Sequence, residues 1–164
     1  MEVYFIRHGI AVERQPEIKE EERELTAKGR EKTQKVAKRL DRLGLKFDLI
    51  LTSPLVRSRQ TAEILSSCGL SAKLEEFSAL APDGDIQIWL DWLDVRQMLA
   101  TDTQLALVGH QPDLGHWAEI LLWGEAKSVI VVKKAGIIGL KLPTTGSPVG
   151  RSQMFWLAPP KFLL

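Results

Sequence analysis

The sequence predicts an α/β fold: a three-layer sandwich with a mainly parallel central sheet, helices on both faces and an antiparallel C-terminal portion. Three apolar runs, at residues 3–6, 47–51 and 104–108, are each followed by a stretch of helical periodicity. That alternation is the mark of parallel strands joined by crossover helices. After the last helix, apolar runs are separated only by turn residues, so those strands should pair antiparallel. The 164 residues suffice for one domain, 1–164, with its own core.

Val3, Tyr4, Phe5 and Ile6 form an unbroken apolar series that stops on Arg7, His8 and Gly9. Such a series suits a strand covered on both faces, and Gly9 lets the chain turn sharply at its carboxyl end. Taken alone, His8 reads as a core histidine beside a paired arginine, since perturbed groups also occur in structural networks. Residues 10–24 are polar and acidic, too long for a plain connection in a compact domain and therefore a working loop. Its acidic middle is expected to be exposed, with Arg23 at its end pointing back at the site. Thr26 is the expected N-cap of a helix whose apolar face carries Val36, Ala37, Leu40 and Leu43 and which Gly44 stops.

The strand at 47–51 leads into Thr52-Ser53-Pro54-Leu55-Val56-Arg57. Ser53 reads as an N-cap with proline at the first helical position. A helix starting there offers free N–H groups and the positive end of its dipole to an anion. Arg57 lies about one turn inside and reaches the same anion; Arg59 is assigned to the surface. Residues 72–77 read as a strand near an edge, and 81–85 as a turn opening a helix over 85–99 whose Ile86, Trp89, Leu90 and Leu93 face the core. The strand at 104–108 ends in Gly109 and His110. A helix over 113–123, stopped by Gly124, contains His116 in a structural position. Strands are expected at 128–132, 137–142 and 153–157.

The net charge of +1 demands neither nucleic acid nor a membrane as partner. Cys68 is the only cysteine and there are three histidines, which excludes an internal disulfide and a Cys/His zinc site. No apolar run approaches bilayer length and the first strand starts almost at Met1, so a cytoplasmic protein is expected.

Open parallel sheets bind ligands outside the carboxyl ends of their strands. His8, Ser53, Arg57 and His110 gather at those ends, and arginine forks match phosphate oxygens bidentately, so a phosphoryl group is the expected guest. Neither a Walker-type loop nor a carboxylate cluster for magnesium accompanies them. The expected chemistry is phosphoryl transfer through a nucleophilic histidine, with no metal and no cofactor.

Arg7-His8-Gly9, Leu25-Thr26 with Gly29, Ser53-Pro54-Leu55 with Arg57, Gln60-Thr61-Ala62, and Gly109-His110 with Pro112 together resemble the histidine phosphatase superfamily, also called phosphoglycerate-mutase-like. The match runs in order along nearly the whole chain. The short length, the 81–85 turn and the closing Trp156-Leu157-Ala158-Pro159-Pro160-Lys161 resemble its SixA-type phosphohistidine phosphatase branch. The resemblance implies that His8 attacks phosphorus and is transiently phosphorylated, while Arg7, Arg57 and His110 hold the equatorial oxygens. It implies substrate contacts from Ser53, Gly9 and Arg23. His8 must then be neutral on its attacking nitrogen, with the other ring nitrogen donating to a backbone carbonyl, that of Gly9. His110 is expected to be cationic in the complex.

The sequence departs from the family at the general acid. Many relatives carry a glutamate where Ala79 stands here, leaving Glu76 and Asp83 as nearby substitutes. An alkoxide, whose conjugate acid has a pKa near that of water, about 15.7, needs a proton donor to leave. Imidazole, with its proton equilibrium near about 6.5, does not. The departure therefore favours phosphohistidine on a signalling protein, such as a phosphotransfer domain. A small-molecule phosphomonoesterase is the alternative within the same class, and a phosphoprotein-binding module with vestigial chemistry the alternative from another. Mutase action is disfavoured, because the chain lacks room for the insertions that enclose a diffusible bisphosphate.

Overall fold

The computed structural model describes all 164 residues. Six strands form one sheet in the order β3-β2-β4-β1-β5-β6. In chain order these are β1 (Glu2–Arg7), β2 (Leu49–Thr52), β3 (Leu74–Glu76), β4 (Gln104–Gly109), β5 (Ile137–Lys141) and β6 (Gln153–Ala158). The helices are α1 (Ala27–Arg42), α2 (Val56–Ser67), α3 (Ile86–Val95) and α4 (Asp113–Trp123). The first four strands pair in parallel, while β5 runs antiparallel to β1 and β6 to β5.

Alternation along β1 divides the core. Val3 and Phe5 join Trp89 and Leu93 of α3 with Leu114, Trp117 and Leu121 of α4. Tyr4 and Ile6 join Val36, Ala37 and Leu40 of α1 with Ala62 and Leu65 of α2. Successive strand side chains point to opposite faces, so an unbroken apolar strand requires a helical layer on each side. The expected sandwich is the observed one. Trp89 of α3 and Trp117 of α4 belong to its core: Trp89 stacks on Trp117 at 5.9 Å and meets the edge of Phe5 at 6.0 Å.

Thr26 caps α1 by accepting from Gly29 N at 2.9 Å. Gly29 itself is required by close approach, because a Cβ there would stand 2.0 Å from the Ile10 carbonyl oxygen. The start of α1 thus presses against the chain leaving β1, which explains why Leu25-Thr26 and Gly29 occur together.

Three sequence expectations are corrected. Residues 128–132 are not a strand: their backbone groups are met by side chains instead of a ladder. Glu119 Oε2 accepts from Lys127 N and Val129 N, and Gln111 accepts from Val132 N while donating to Ile130 O. The helix expected to run to residue 99 ends at Val95, because Gln97 adopts left-handed backbone, with φ of 53°, before a 3-10 turn at Met98–Ala100. Asp85 is its N-cap, accepting from Gln87 N. Ser53 is not the N-cap of α2, which starts at Val56 after Leu55; its hydroxyl accepts from Leu55 N at 3.2 Å and so holds the turn before the helix. No helix is long and apolar enough to cross a membrane.

Candidate active site

Register brings the site together. Beyond the last paired residues, His8 N donates to Gly109 O at 3.0 Å and Ser53 N to Val108 O at 2.9 Å. The residues that follow β1, β2 and β4 therefore lie side by side at one sheet edge. His8 and His110 are 6% and 4% exposed, with ring centroids 5.2 Å apart. The turn after His8 is pinned by Gly9 N donating to Thr61 Oγ1 at 3.0 Å, and Gln60 Oε1 accepts from Leu25 N at 2.8 Å. That is the physical content of the Gln60-Thr61 pair.

His8 has a defined tautomer. Its Nδ1 lies 2.7 Å from Gly9 O; a carbonyl only accepts, so Nδ1 carries the proton and Nε2 carries a lone pair. Arg57 Nε donates to that Nε2 at 3.3 Å. Burial, together with charge on His110, Arg57 and Arg7, pushes the His8 imidazole down to about 3 against the Gly9 hydrogen bond. His110 is likewise pushed down to about 3 by burial and by Arg57 and Arg7. Its Nε2 lies 2.8 Å from Ser53 Oγ and 3.3 Å from Ser58 Oγ, whereas its Nδ1 is buried with no protein partner.

Arg57 is engaged through all three of its guanidinium nitrogens. Besides His8, it donates through Nη1 to Glu20 O at 2.8 Å and through Nη2 to Glu20 Oε1 at 3.1 Å. Arg23 holds the same carboxylate through Nε and Nη2 at 2.9 and 2.8 Å, and anchors to Val12 O. Hydrogen bonds from Arg23 come first in holding Glu20 below the usual carboxylate range. Arg23 thus reaches the site through Glu20 and not through the imidazoles. The 10–24 loop returns to Arg57 through Glu20, while Glu17, Glu21, Glu22 and Glu24 of its acidic middle are exposed, as expected. Arg7 donates from Nη1 to Val132 O at 3.1 Å, and its Nε is buried without a protein partner.

Neither substitute acid approaches the imidazoles through any hydrogen bond. Glu76 ends β3 and accepts from Arg59 Nη1 at 3.4 Å, while Asp83 donates its backbone N–H to Asp113 Oδ2 at 3.0 Å. Arg59, expected at the surface, is part-exposed in that pair. Ser58 and Glu20 were missed in the sequence. Ser58 is legible afterwards as the residue beside Arg57 on the first turn of α2; Glu20 has no local signal among its acidic neighbours.

The histidine phosphatase superfamily (branch 1) model matches residues 3–80. An uncharacterised protein of Picosynechococcus sp. (strain ATCC 27264 / PCC 7002 / PR-6) is 47% identical over 165 residues, covering 100% of this chain and 99% of that protein. This chain belongs to the histidine phosphatase superfamily. Among solved structures, the protein histidine phosphatase SixA complexed with tungstate superposes with a TM-score of 0.84 at 24% identity, covering 100% of both chains. The α-ribazole phosphatase of Shigella flexneri superposes at 0.67 and 16% identity, covering 98% of this chain and 97% of that one. A phosphoserine phosphatase mutant of Entamoeba histolytica, in complex with phosphoserine, gives 0.66 and 16%, with 99% of both chains covered. These superpositions extend the family's α/β architecture to the whole length of the chain.

The two histidines of this phosphatase fold carry a stability consequence. Both have native pKa values below the usual 6.5, so the unfolded chain binds more protons between about 3 and 6.5. Their contribution is complete above pH 6.5 and is lost as pH falls, with a slope approaching at most about 1.4 kcal/mol per pH unit for each. Urea unfolding is expected to show stability falling from pH 6.5 to 5, above the range where most carboxylates titrate. His110→Gln should flatten that slope; an unchanged slope would refute the assignment.

Proposed function

We propose that the protein is a metal-independent phosphatase that forms a phosphohistidine on His8 and acts on phosphohistidine of a signalling protein, such as a phosphotransfer domain. The observation that supports it is the unprotonated His8 Nε2, fixed by the Gly9 carbonyl and flanked by Arg57 and His110. A nucleophile needs its lone pair at working pH, and burial among cations supplies that here.

In the reaction, His8 Nε2 attacks phosphorus while the bond from phosphorus to the substrate imidazole breaks, and the departing imidazole takes a proton from solvent. Water then attacks phospho-His8, releasing inorganic phosphate and returning neutral His8. Arg57 and Arg7 balance the oxyanion's charge. A phosphoryl dianion beside His110 opposes the cationic repulsion and favours its protonation, making it a donor in the complex. Ser53, fixed 2.8 Å from His110, holds the ring in place. The solved SixA neighbour binds tungstate, a tetrahedral oxyanion of the same shape.

A phosphoramidate is preferred because the carboxylate held against Arg57, Glu20, is kept ionised and cannot protonate an alkoxide. One observation favours the second reading, a small-molecule phosphomonoesterase. Burial raises the Asp113 carboxyl, three residues after His110, above its usual range, the direction a general acid needs.

The deciding experiment offers phosphoramidate, phosphohistidine peptide and sugar phosphates to the enzyme in the presence of EDTA. Turnover confined to the P–N substrates is expected. Preference for sugar phosphates would select the monoesterase, and tight phosphoprotein binding without turnover would select a binding module.

A further inference from the structure

Next to the catalytic cluster lies a groove of about 760 Å³, of which the chemistry above uses only Arg7. It begins at Arg7 and Ile10, the residues on either side of His8-Gly9, and runs toward the C-terminus over Ala158, Pro159 and Pro160. Its cations are Arg7, Lys32, Lys133, Lys134 and Lys161, and no carboxylate lines it. None of the four lysines forms an ion pair. In a chain of net charge +1 this is a local concentration of positive charge.

Between the lysines stand exposed apolar side chains: Phe162 at 75%, Val131 at 52% and Leu157 at 44%. Leu157 and Met154, which pair with Ile138 and Leu140 on either side of a β-bulge in the outermost strand β6, share one face, and Met154 is 40% exposed. The apolar surface therefore continues past the groove along the sheet edge. An inorganic or sugar phosphate leaves such a surface wet, whereas a protein buries it and places acidic groups against the lysines. A second copy of this chain meeting face to face would set lysines against lysines.

We infer that this groove docks an acidic protein surface whose apolar side chains lie beside its phosphohistidine, steering that residue past Arg7 to His8. The inference rests on the phosphohistidine reading and names the kind of partner it acts on. Exposed lysines of this sort act chiefly on encounter rate and salt sensitivity, and apolar contacts on residence.

The test uses two fluorescent histidine peptides, one flanked by Asp, Glu and Leu and one by Lys and Ser, with free phosphoramidate as a substrate that needs no docking. The unphosphorylated acidic peptide is expected to bind at least tenfold tighter than the basic one and to weaken at raised salt. Lys133→Glu with Lys134→Glu should abolish that preference, and Phe162→Ala should weaken binding several-fold. Both variants should turn over phosphoramidate within twofold of wild type. After phosphorylation of the peptides, the preference should reappear in kcat/KM.

Equal binding of the two peptides, or a preference indifferent to the lysine changes, would overturn docking while phosphoramidate turnover still upheld the enzyme. Lysine-dependent preference for a small bisphosphate in place of the peptide would overturn it in favour of a metabolite. Lysine-dependent peptide binding without turnover of any P–N substrate would leave the docking surface standing and remove the phosphatase reading.

Discussion

His8→Ala is expected to lower turnover of a phosphohistidine substrate by at least about four orders of magnitude, the scale seen when a covalent nucleophile is removed. The expectation comes from the tautomer. Nδ1 is committed to Gly9 O, so the only free lone pair on the ring is at Nε2, where Arg57 Nε already points. His110 cannot take over in place: its Nε2 lies between two serine hydroxyls and its Nδ1 is buried. Arg57, Arg7 and His110 remain in the variant, so binding of a phosphoryl group should fall far less than turnover. His8→Asn, which keeps a donor for the Gly9 carbonyl, separates loss of the nucleophile from loss of the turn. Quenching wild type during turnover with radiolabelled substrate should trap acid-labile, base-stable label on the protein, and neither variant should carry it. A variant retaining a hundredth of wild-type turnover would mean that a different group attacks phosphorus.

Much of this site was legible because each of its segments carries its own local reason. An apolar run can end in Arg7-His8-Gly9 only where a doubly covered strand emerges, and Gly29 is fixed by contact with the Ile10 carbonyl. The shared direction of the strands follows from the same logic, since strands joined by crossover helices must leave their carboxyl ends on one edge. The failures share a different origin. Residues 128–132 look like a strand because Val129, Ile130, Val131 and Val132 are β-branched, but β5 already pairs with β1, leaving the segment to side chains of Gln111 and Glu119. Glu20 is one acid in a run of acids, and only the return of the loop over α2 sets its carboxylate against Arg57. Ser53 was placed on the correct strand end but given the wrong partner, because a Ser-Pro pair marks a turn as readily as a helix start. Local pattern therefore carries what backbone geometry demands, and misses what one distant side chain does for another.

Arg57→Ala is expected to lower kcat/KM by about three orders of magnitude, in the range found when a preorganised donor to a developing oxyanion is removed. Arg57→Lys should recover little of it. Three nitrogens of this guanidinium, with a side chain only 4% exposed, act in three directions: Nε toward His8, Nη1 toward the Glu20 carbonyl and Nη2 toward its carboxylate. A lysine offers one compact charge and cannot reproduce that fork. Arg23 still holds Glu20 through two bonds, so the loop should keep its path and the loss should fall on chemistry more than on folding. A second readout follows from charge. Arg57 is the first of the cations depressing His110 and also depresses His8, so in the alanine variant both imidazoles should titrate at higher pH than in wild type, as followed by NMR. Arg57→Lys, which keeps the charge, should leave those titrations nearly where they are while activity stays low. That split would separate the two duties proposed for the residue: its charge adds to burial in holding the histidines neutral, and its planar fork orients the phosphoryl group. A lysine variant with a tenth of wild-type kcat/KM would show that charge alone suffices, and the bidentate contact would have to be abandoned.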